Sequence, residues 1–444
     1  MPKRIGITIL GCGAVGGATA QLLLSKKAEL AKRTGVEVVV FSIVVRDRSK
    51  MRCDSISELL LTTDAGAAIA DPRSQIIIEL IGGTTTARAH ILAALAAGKD
   101  VVTANKALLA LHGAEIFEAA RRAGRTVAFE ASVGGGIPLI ETVRRGLVAN
   151  DIDAVYGILN GTCNFILTQM SEQHRSYADA LEEAKRLGYA EADPTLDVEG
   201  IDSAHKLAIL ASIAFRKTCD FARIEHRGIS AIEVTDLIAG EELGYVCKLL
   251  AVARNEPDGI ELSVAPTFIH ASHPLAGVRG PFNAVSIYGS AAGHVLLYGR
   301  GAGGLPTASA VVSDVIDVAC GNAKSVCENY SALPGQTPAA VYSPTGERKA
   351  AWYLRVGLLD RPGGMAAVAG ALGNEGISIA SLVQRSLHDS QLPAAVPVVV
   401  ITHPAKKSQV SAAIDRMERL DAVLGRIVRI PIMDEHLEAN HTVG

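Results

Sequence analysis

The first third of the chain alternates short β-branched runs with Ala- and Leu-rich runs. Residues 5–10, 36–45, 75–81, 100–103 and 125–129 read as strands. Most are apolar without a two-residue alternation, the mark of strands covered on both faces in a parallel sheet. Residues 17–32, 87–97 and 107–123 read as helices between them. This order predicts an α/β class, with a doubly wound Rossmann-like domain over residues 1–136.

From residue 137 to 304 the pattern changes to α+β. A strand at 154–159 precedes the segment NGTCNF, a helix at 177–187 and an acid-rich stretch. The run SAHKLAILASIAF is then apolar almost all round and reads as a helix. Further strands are expected at 259–269, 283–288 and 294–298. The loop GRGAGG opens a helix at about 305–325, with Pro306 in its first turn, and that helix is expected to return to the first domain. A polar linker covers 331–349. The tail, 350–433, reads strand at 352–359, helix at 365–372, strands at 377–385 and 396–402, helix at 408–420 and strand at 423–432. That order, βαββαβ, is ferredoxin-like.

Composition changes this picture little. With 43 Lys and Arg against 46 Asp and Glu, the net charge of −3 predicts no grip on nucleic acid or an anionic membrane. No window reaches the ~20 apolar residues of a membrane span. The N-terminus leads directly into a strand, without the pattern of a cleavable signal. Seven scattered cysteines, never in CxxC spacing, argue against structural zinc or a disulfide framework and fit a reducing cytoplasm.

Candidate chemistry begins with IGITILGCGAVGG, which places Gly11, Gly13 and Gly16 in G-x-G-x-x-G between a strand and a helix. Such glycines let the backbone approach a pyrophosphate seated at the helix N-terminus. The second strand ends VVRDRSK. Arg46 precedes Asp47, which favours the 2′-phosphate of NADP over NAD, although a solvated turn also explains the charges. Thr84, in GGTTT, is either a cofactor contact or a helix N-cap. Lys106 follows the strand DVVTA at the same sheet edge. In FEASVGGGIP, Glu130 with the carbonyls of the glycine-rich turn could bind a hard cation, and a plain hinge is the alternative. Cys163 has no histidine in its motif to activate it and is set aside as a nucleophile.

The densest chemistry lies in GYAEADPTLDVEGIDSAHKLAILA. Glu191, Asp193, Asp197, Glu199 and Asp202 crowd ahead of the apolar helix that carries Lys206. At helical spacing Lys206 shares a stripe with Ile209, Leu210 and Ile213, and Asp202 lies one turn before it. A lysine facing a core is costly unless an acid compensates. Held that way it is a candidate proton donor. An ordinary exposed i,i+4 pair is the plainer alternative.

Together GCGAVG, VVTANKALLA, FEASVGGGIP, NGTCNFIL, the acid–lysine stretch and the GAGG helix resemble homoserine dehydrogenase, in its long bacterial form with a C-terminal ACT domain. The resemblance covers nearly the whole chain. It implies reversible hydride transfer between NAD(P)H and L-aspartate 4-semialdehyde, giving L-homoserine on the route to threonine, methionine and isoleucine. It implies Lys206 as proton donor and acceptor, with Asp202 beside it. Glu191 and Asp202 would hold the substrate, Asp197 would support the site, and Lys106 would lie near cofactor and substrate. Gly161 and Thr162 would line the substrate pocket. Gly13, Ala14, Val15, Thr84 and Gly303 fall at dinucleotide contacts. Glu130 with the carbonyls of Val133, Gly135 and Ile137 falls at a sodium site. LLDRPGGMAAVAGALGNEGISIASLVQ resembles an ACT opening and implies threonine feedback, although Ser378 stands where many ligand-binding ACT domains have Asn. A homo-oligomer, dimer or tetramer, is expected. The competing readings are a non-catalytic amino-acid sensor on a nucleotide-binding shell, or another aldehyde-directed dehydrogenase.

Overall fold

The computed structural model describes residues 2–50, 56–329, 333, 335–344, 347–384 and 395–433. Arg385, expected to end a strand, and linker residues 331, 332, 334, 345 and 346 lie outside the described residues. The first region forms β1 (Lys3–Leu10), α1 (Ala14–Ser25), α2 (Lys27–Thr34), β2 (Val36–Val44), β3 (Leu61–Thr62), α3 (Ala65–Ala70), β4 (Ile76–Glu79), α4 (Thr86–Ala96), β5 (Asp100–Thr103), α5 (Lys106–Ala123) and β6 (Val127–Ala128). Its sheet is parallel throughout, in the order β3-β2-β1-β4-β5-β6. The order reverses between β1 and β4, so the ligand crevice opens at their carboxyl ends. Ile7, Ile9, Ile77, Ile78, Val101 and Val102 are fully buried, which is why these strands show no alternation. The helix expected at 17–32 is two helices. Lys26 leaves helical geometry at φ −102° and ψ 13°, and α2 buries none of its residues, so no packing holds it in line with α1.

The second region contains α6 (Leu139–Glu141), β7 (Ile152–Ile158), α7 (Gly161–Gln173), α8 (Tyr177–Arg186), α9 (Thr195–Val198), α10 (Ile201–Ala214), β8 (Glu225–His226), α11 (Val234–Glu242), β9 (Tyr245–Glu256), β10 (Gly259–His270), β11 (Asn283–Gly289) and β12 (Gly293–Gly299). Strand β9 escapes a reading by pattern because Lys248 and Arg254 interrupt its apolar run. Both are buried and both find partners inside. Lys248 Nζ donates to the Val278 carbonyl at 2.5 Å and to Asn164 Oδ1 at 3.2 Å. Arg254 Nε donates to Tyr156 Oη at 2.7 Å. Next come α12 (Gly304–Cys320) and α13 (Asn322–Asn329). Helix α12 returns to the first region, where Val311 and Val315 pack with Ile7 and Ile9, and the helix expected over 305–325 is broken at Gly321, φ +87°.

The tail forms β13 (Lys349–Leu359), α14 (Gly364–Asn374), β14 (Ile379–Gln384), β15 (Ala395–Thr402), β16 (Ala405–Lys406), α15 (Lys407–Met417) and β17 (Val423–Ile432). Its antiparallel order β17-β13-β15-β14 is the ferredoxin-like arrangement. This sheet does not stand apart from the second region. Strand β17 pairs with β10 at Phe268 and Ile432, so one sheet runs β12-β11-β7-β9-β10-β17-β13-β15-β14. The joint is sealed by Asp236 of α11, which accepts from Tyr353 Oη at 2.8 Å and Arg355 Nε at 2.7 Å.

Candidate active site

Helix α10 is buried along its length from Asp202 to Ala214. The expected stripe is present, with Ile209, Leu210 and Ile213 at most 4% exposed. Lys206 and Asp202 have side chains only 8% and 6% exposed, so their pair is a buried one. Lys206 Nζ donates to Asp202 Oδ2 at 2.7 Å and to the Leu159 carbonyl at 2.7 Å. Two good acceptors meet the cost of burying the ammonium. The other oxygen of Asp202 faces Lys106 Nζ at 3.0 Å. Lys106 is the first residue of α5 and is 42% exposed, so it links the buried pair to the open crevice.

Burial opposes ionisation of Asp202, but the Lys206 and Lys106 charges outweigh it, helped by hydrogen bonds from Lys206 and Asn160. The carboxyl is held well below the usual range. Lys106 is raised, chiefly by the Asp202 charge and against the effect of burial. Asp197 moves the other way. Burial and the neighbouring Asp202 charge lift it above the usual range. Glu191 lies in the exposed loop ahead of α9, where its charge reaches Lys106.

Pattern reading missed Asn160, which caps α7 and donates from Nδ2 to both Asp197 and Asp202. The strand–NGT–helix sequence carried the signal, since Asn before a helix is a natural cap. Gly161 opens the same helix, and a Cβ there would lie 2.9 Å from the Pro281 carbonyl. Thr162 donates its hydroxyl to the Tyr189 carbonyl at 2.6 Å, tying the acid-rich loop to α7. Asp193 and Glu199 serve the scaffold. Asp193 accepts from Thr195 N and Oγ1, and Glu199 accepts from Ser230 Oγ. Cys163 is fully buried, and burial with the nearby acids pushes its thiol well up, which agrees with setting it aside.

The nucleotide side is built by the glycines. Gly11 has φ +99°, and a Cβ there would meet the Leu80 carbonyl at 2.6 Å; at Gly16 it would meet the Gly11 carbonyl at 2.1 Å. Gly13 has nothing within 4 Å, so its face is open. Gly13 and Gly303 begin α1 and α12 without side-chain caps or acids in the first turn. The two helix starts meet, since a Cβ on Gly304 would lie 3.0 Å from the Ala14 carbonyl. Free N–H groups from two helices around an open glycine face fit a pyrophosphate. Ala14 and Val15 stand in the first turn of α1, and Arg46 is exposed just past β2. Thr84 is half-buried in the turn after β4; the N-cap of α4 is Thr85. Buried Glu79, also missed, shapes that turn by accepting from Ile81 N and Gly82 N.

Residues 138–316 match the family described as homoserine dehydrogenase, and residues 11–130 match its NAD-binding domain. The chain belongs to the homoserine dehydrogenase family. Residues 352–422 match the ACT domain. The chain is 42% identical to the homoserine dehydrogenase of Pseudomonas aeruginosa over 97% of its own length and 99% of that protein. It is 40% identical to the one from Neisseria gonorrhoeae, covering 98% and 100% of the two chains. The solved homoserine dehydrogenase of Thiobacillus denitrificans superposes with a TM-score of 0.89 at 42% identity, over 97% of this chain and 99% of that one. This homoserine dehydrogenase is thus an NAD(P)-dependent oxidoreductase that interconverts L-aspartate 4-semialdehyde and L-homoserine.

The expected cation site lies at the junction of the first two regions. Gly135 packs there so closely that a Cβ would meet the Gly301 carbonyl at 2.5 Å. The Glu130 carboxylate is already engaged, accepting from Ile140 N at 2.9 Å and Glu141 N at 2.8 Å. Burial, opposed by those two bonds, pushes it up to about 7. Its side chain therefore acts as a helix cap, while the Glu130 and Ile137 carbonyls accept from Val133 N at 3.4 Å and Leu139 N at 2.8 Å.

Proposed function

We propose that Lys206 exchanges the proton with the substrate oxygen in this homoserine dehydrogenase. The observation that carries the reading is that one buried carboxylate, Asp202, is shared by Lys206 and Lys106. A bound dihydronicotinamide supplies the hydride when the aldehyde is reduced. Lys206 donates from Nζ to the carbonyl oxygen as negative charge develops there, and takes the proton back from the alcohol in the reverse direction. Asp202 fixes the direction of that ammonium. Glu191 and Asp202 hold the amino group of the substrate, Asp197 supports them, and Lys106 faces both ligands. Gly161 and Thr162 line the substrate side.

The dinucleotide lies along Gly11, Gly13, Ala14, Val15, Gly16, Thr84, Lys106 and Gly303, with Arg46 placed for the 2′-phosphate of NADP. A solved archaeal homoserine dehydrogenase, 28% identical with a TM-score of 0.58, was captured with NADPH. Residues 1–136 with helix α12 bind the nucleotide, 137–304 carry the substrate and dimer surface, and 350–433 take threonine as effector. Exposed Ser378 marks where effector affinity departs from the common pattern. A monovalent cation, sodium by family likeness, is held by Glu130 with the main-chain oxygens of Val133, Gly135 and Ile137. The enzyme works as a homo-oligomer in the cytoplasm; among the described residues no helix is long and apolar enough to cross a membrane.

The test is homoserine oxidation followed by nicotinamide absorbance, with NADP and with NAD, each with and without threonine. NADP is expected to give the higher kcat/KM, and threonine to lower the rate. Lys206→Ala is expected to keep cofactor affinity and lose roughly 10²–10⁴ in kcat. Unchanged turnover in that variant removes Lys206 from the proton step.

A further inference from the structure

Asn160 lies two residues past the end of β7 and is 4% exposed. Its Oδ1 accepts from Cys163 N at 2.8 Å, closing the first turn of α7. Its Nδ2 donates to Asp197 Oδ1 at 2.8 Å and to Asp202 Oδ2 at 2.9 Å. A carboxamide nitrogen has two protons, and here each goes to a different carboxylate. The Asp202 oxygen it reaches is the one that accepts from Lys206, and the carbonyl just before it, on Leu159, is the second acceptor of Lys206. Residues 159 and 160 therefore set both acceptors of the lysine.

We propose that Asn160 is a positioning residue for the dehydrogenase reaction, bridging Asp197 and Asp202 so that the shared carboxylate stays ionised and aimed at Lys206. The proposal rests on the reading of Lys206 as the proton donor. Without the bridge two neighbouring carboxylates repel, and one of them takes up a proton nearer neutral pH. The titratable groups that bear on the pair are Lys206 and His205 on α10, Lys106 on α5 and the neutral Cys163 thiol on α7. Of these, only the two lysines favour ionised carboxylates at neutral pH, and Asn160 adds to them without adding charge.

Two substitutions separate bridging from capping. Asn160→Ser keeps a good N-cap oxygen but cannot reach both acids. Asn160→Asp keeps shape and cap while replacing the donors with a third acid. Each is expected to lower kcat roughly tenfold to a hundredfold, the weight of a lost bond to a charged group. KM for NADP should not move, and the acid limb of the pH profile should shift to higher pH, further for Asn160→Asp. If Asn160→Ser unfolds, the near-isosteric Asn160→Asp decides. A folded variant with wild-type kcat and pH profile overturns the proposal and leaves Asn160 as a helix cap only. Lys206→Ala run alongside keeps the two readings apart. If that variant retains turnover the proton-donor assignment fails, whereas a dead Lys206→Ala with an unaffected Asn160→Ser sinks the bridge alone.

Discussion

Asp202 and Asp236 both sit in the first turn of a helix in the second region, both are buried, and both face cations. Their partners differ. Asp236 holds Arg355 and Tyr353, and its second oxygen accepts from Glu233 N at 2.9 Å to complete a capping box. Arg355 is also paired with Glu233 at 2.8 Å. A guanidinium keeps its proton, so this cluster can only join α11 to β13. Asp202 instead holds two lysines, which can release a proton, and one of them is 42% exposed toward the crevice. Burial of an acid does not by itself mark chemistry. The partner's ability to exchange a proton, and its access to a ligand, make the difference.

Neutralising each acid sharpens that contrast most. Asp202→Asn is expected to cost roughly 10²–10⁴ in kcat, comparable to loss of the lysine itself. Asp236→Asn is expected to cost about 3–5 kcal/mol of stability, because Arg355 is left without its buried partner, with kcat near wild type in the folded enzyme. Urea unfolding and initial rates on both variants check this. Lost turnover in a well-folded Asp236→Asn enzyme would break the comparison and make the joint part of the catalytic machinery.

Asp197 supplies the next, smaller effect. Its carboxyl is raised by burial and by Asp202, so between the unfolded and folded values the native state binds the extra proton. Its contribution to stability therefore falls as pH rises through that window. Asp197→Asn removes this loss, and Tm at neutral pH should hold or rise by about 1–3 °C. The same raised value places the acid limb of kcat/KM above the ~3.9 of an ordinary aspartate, and the variant should lose that limb along with part of its activity. Activity and stability thus move in opposite directions here, whereas Asp202→Asn loses activity and Asp236→Asn loses stability.

The smallest effect is expected at Cys163. It is fully buried, donates to the Asp197 carbonyl at 3.2 Å, and its thiol is held well above its ordinary range. Alkylating reagents on the native enzyme should leave turnover within about twofold, since a buried neutral thiol is a poor nucleophile. Rapid inactivation that tracks modification of this residue would bring back the reading of Cys163 as a nucleophile.

Much of this was legible in the chain because the signals are local. Helical spacing put Lys206 and Asp202 on one face, and the glycine spacing announced the pyrophosphate turn. Strands with two covered faces announced the parallel sheet. Asn160 was illegible as a bridge because its two acids lie 37 and 42 residues away. Strand β9 hid behind Lys248 and Arg254, whose charges are met only by partners on other elements. Glu130 read as an oxygen donor, and only the path of the chain at Ile140 and Glu141 turned its carboxylate into a helix cap.

By itself, then, the sequence determined the class of each region, the nucleotide turn and the residue types of the acid–lysine site. All of these follow from periodicity and from conformational needs a few residues long. The tertiary structure decided which acid each lysine meets, that Asn160 joins the acids, and that the tail sheet continues the second region's sheet through β10 and β17. Hydrogen bonds and ion pairs form between groups brought within about 3 Å, and that proximity is a property of the folded chain rather than of neighbouring letters.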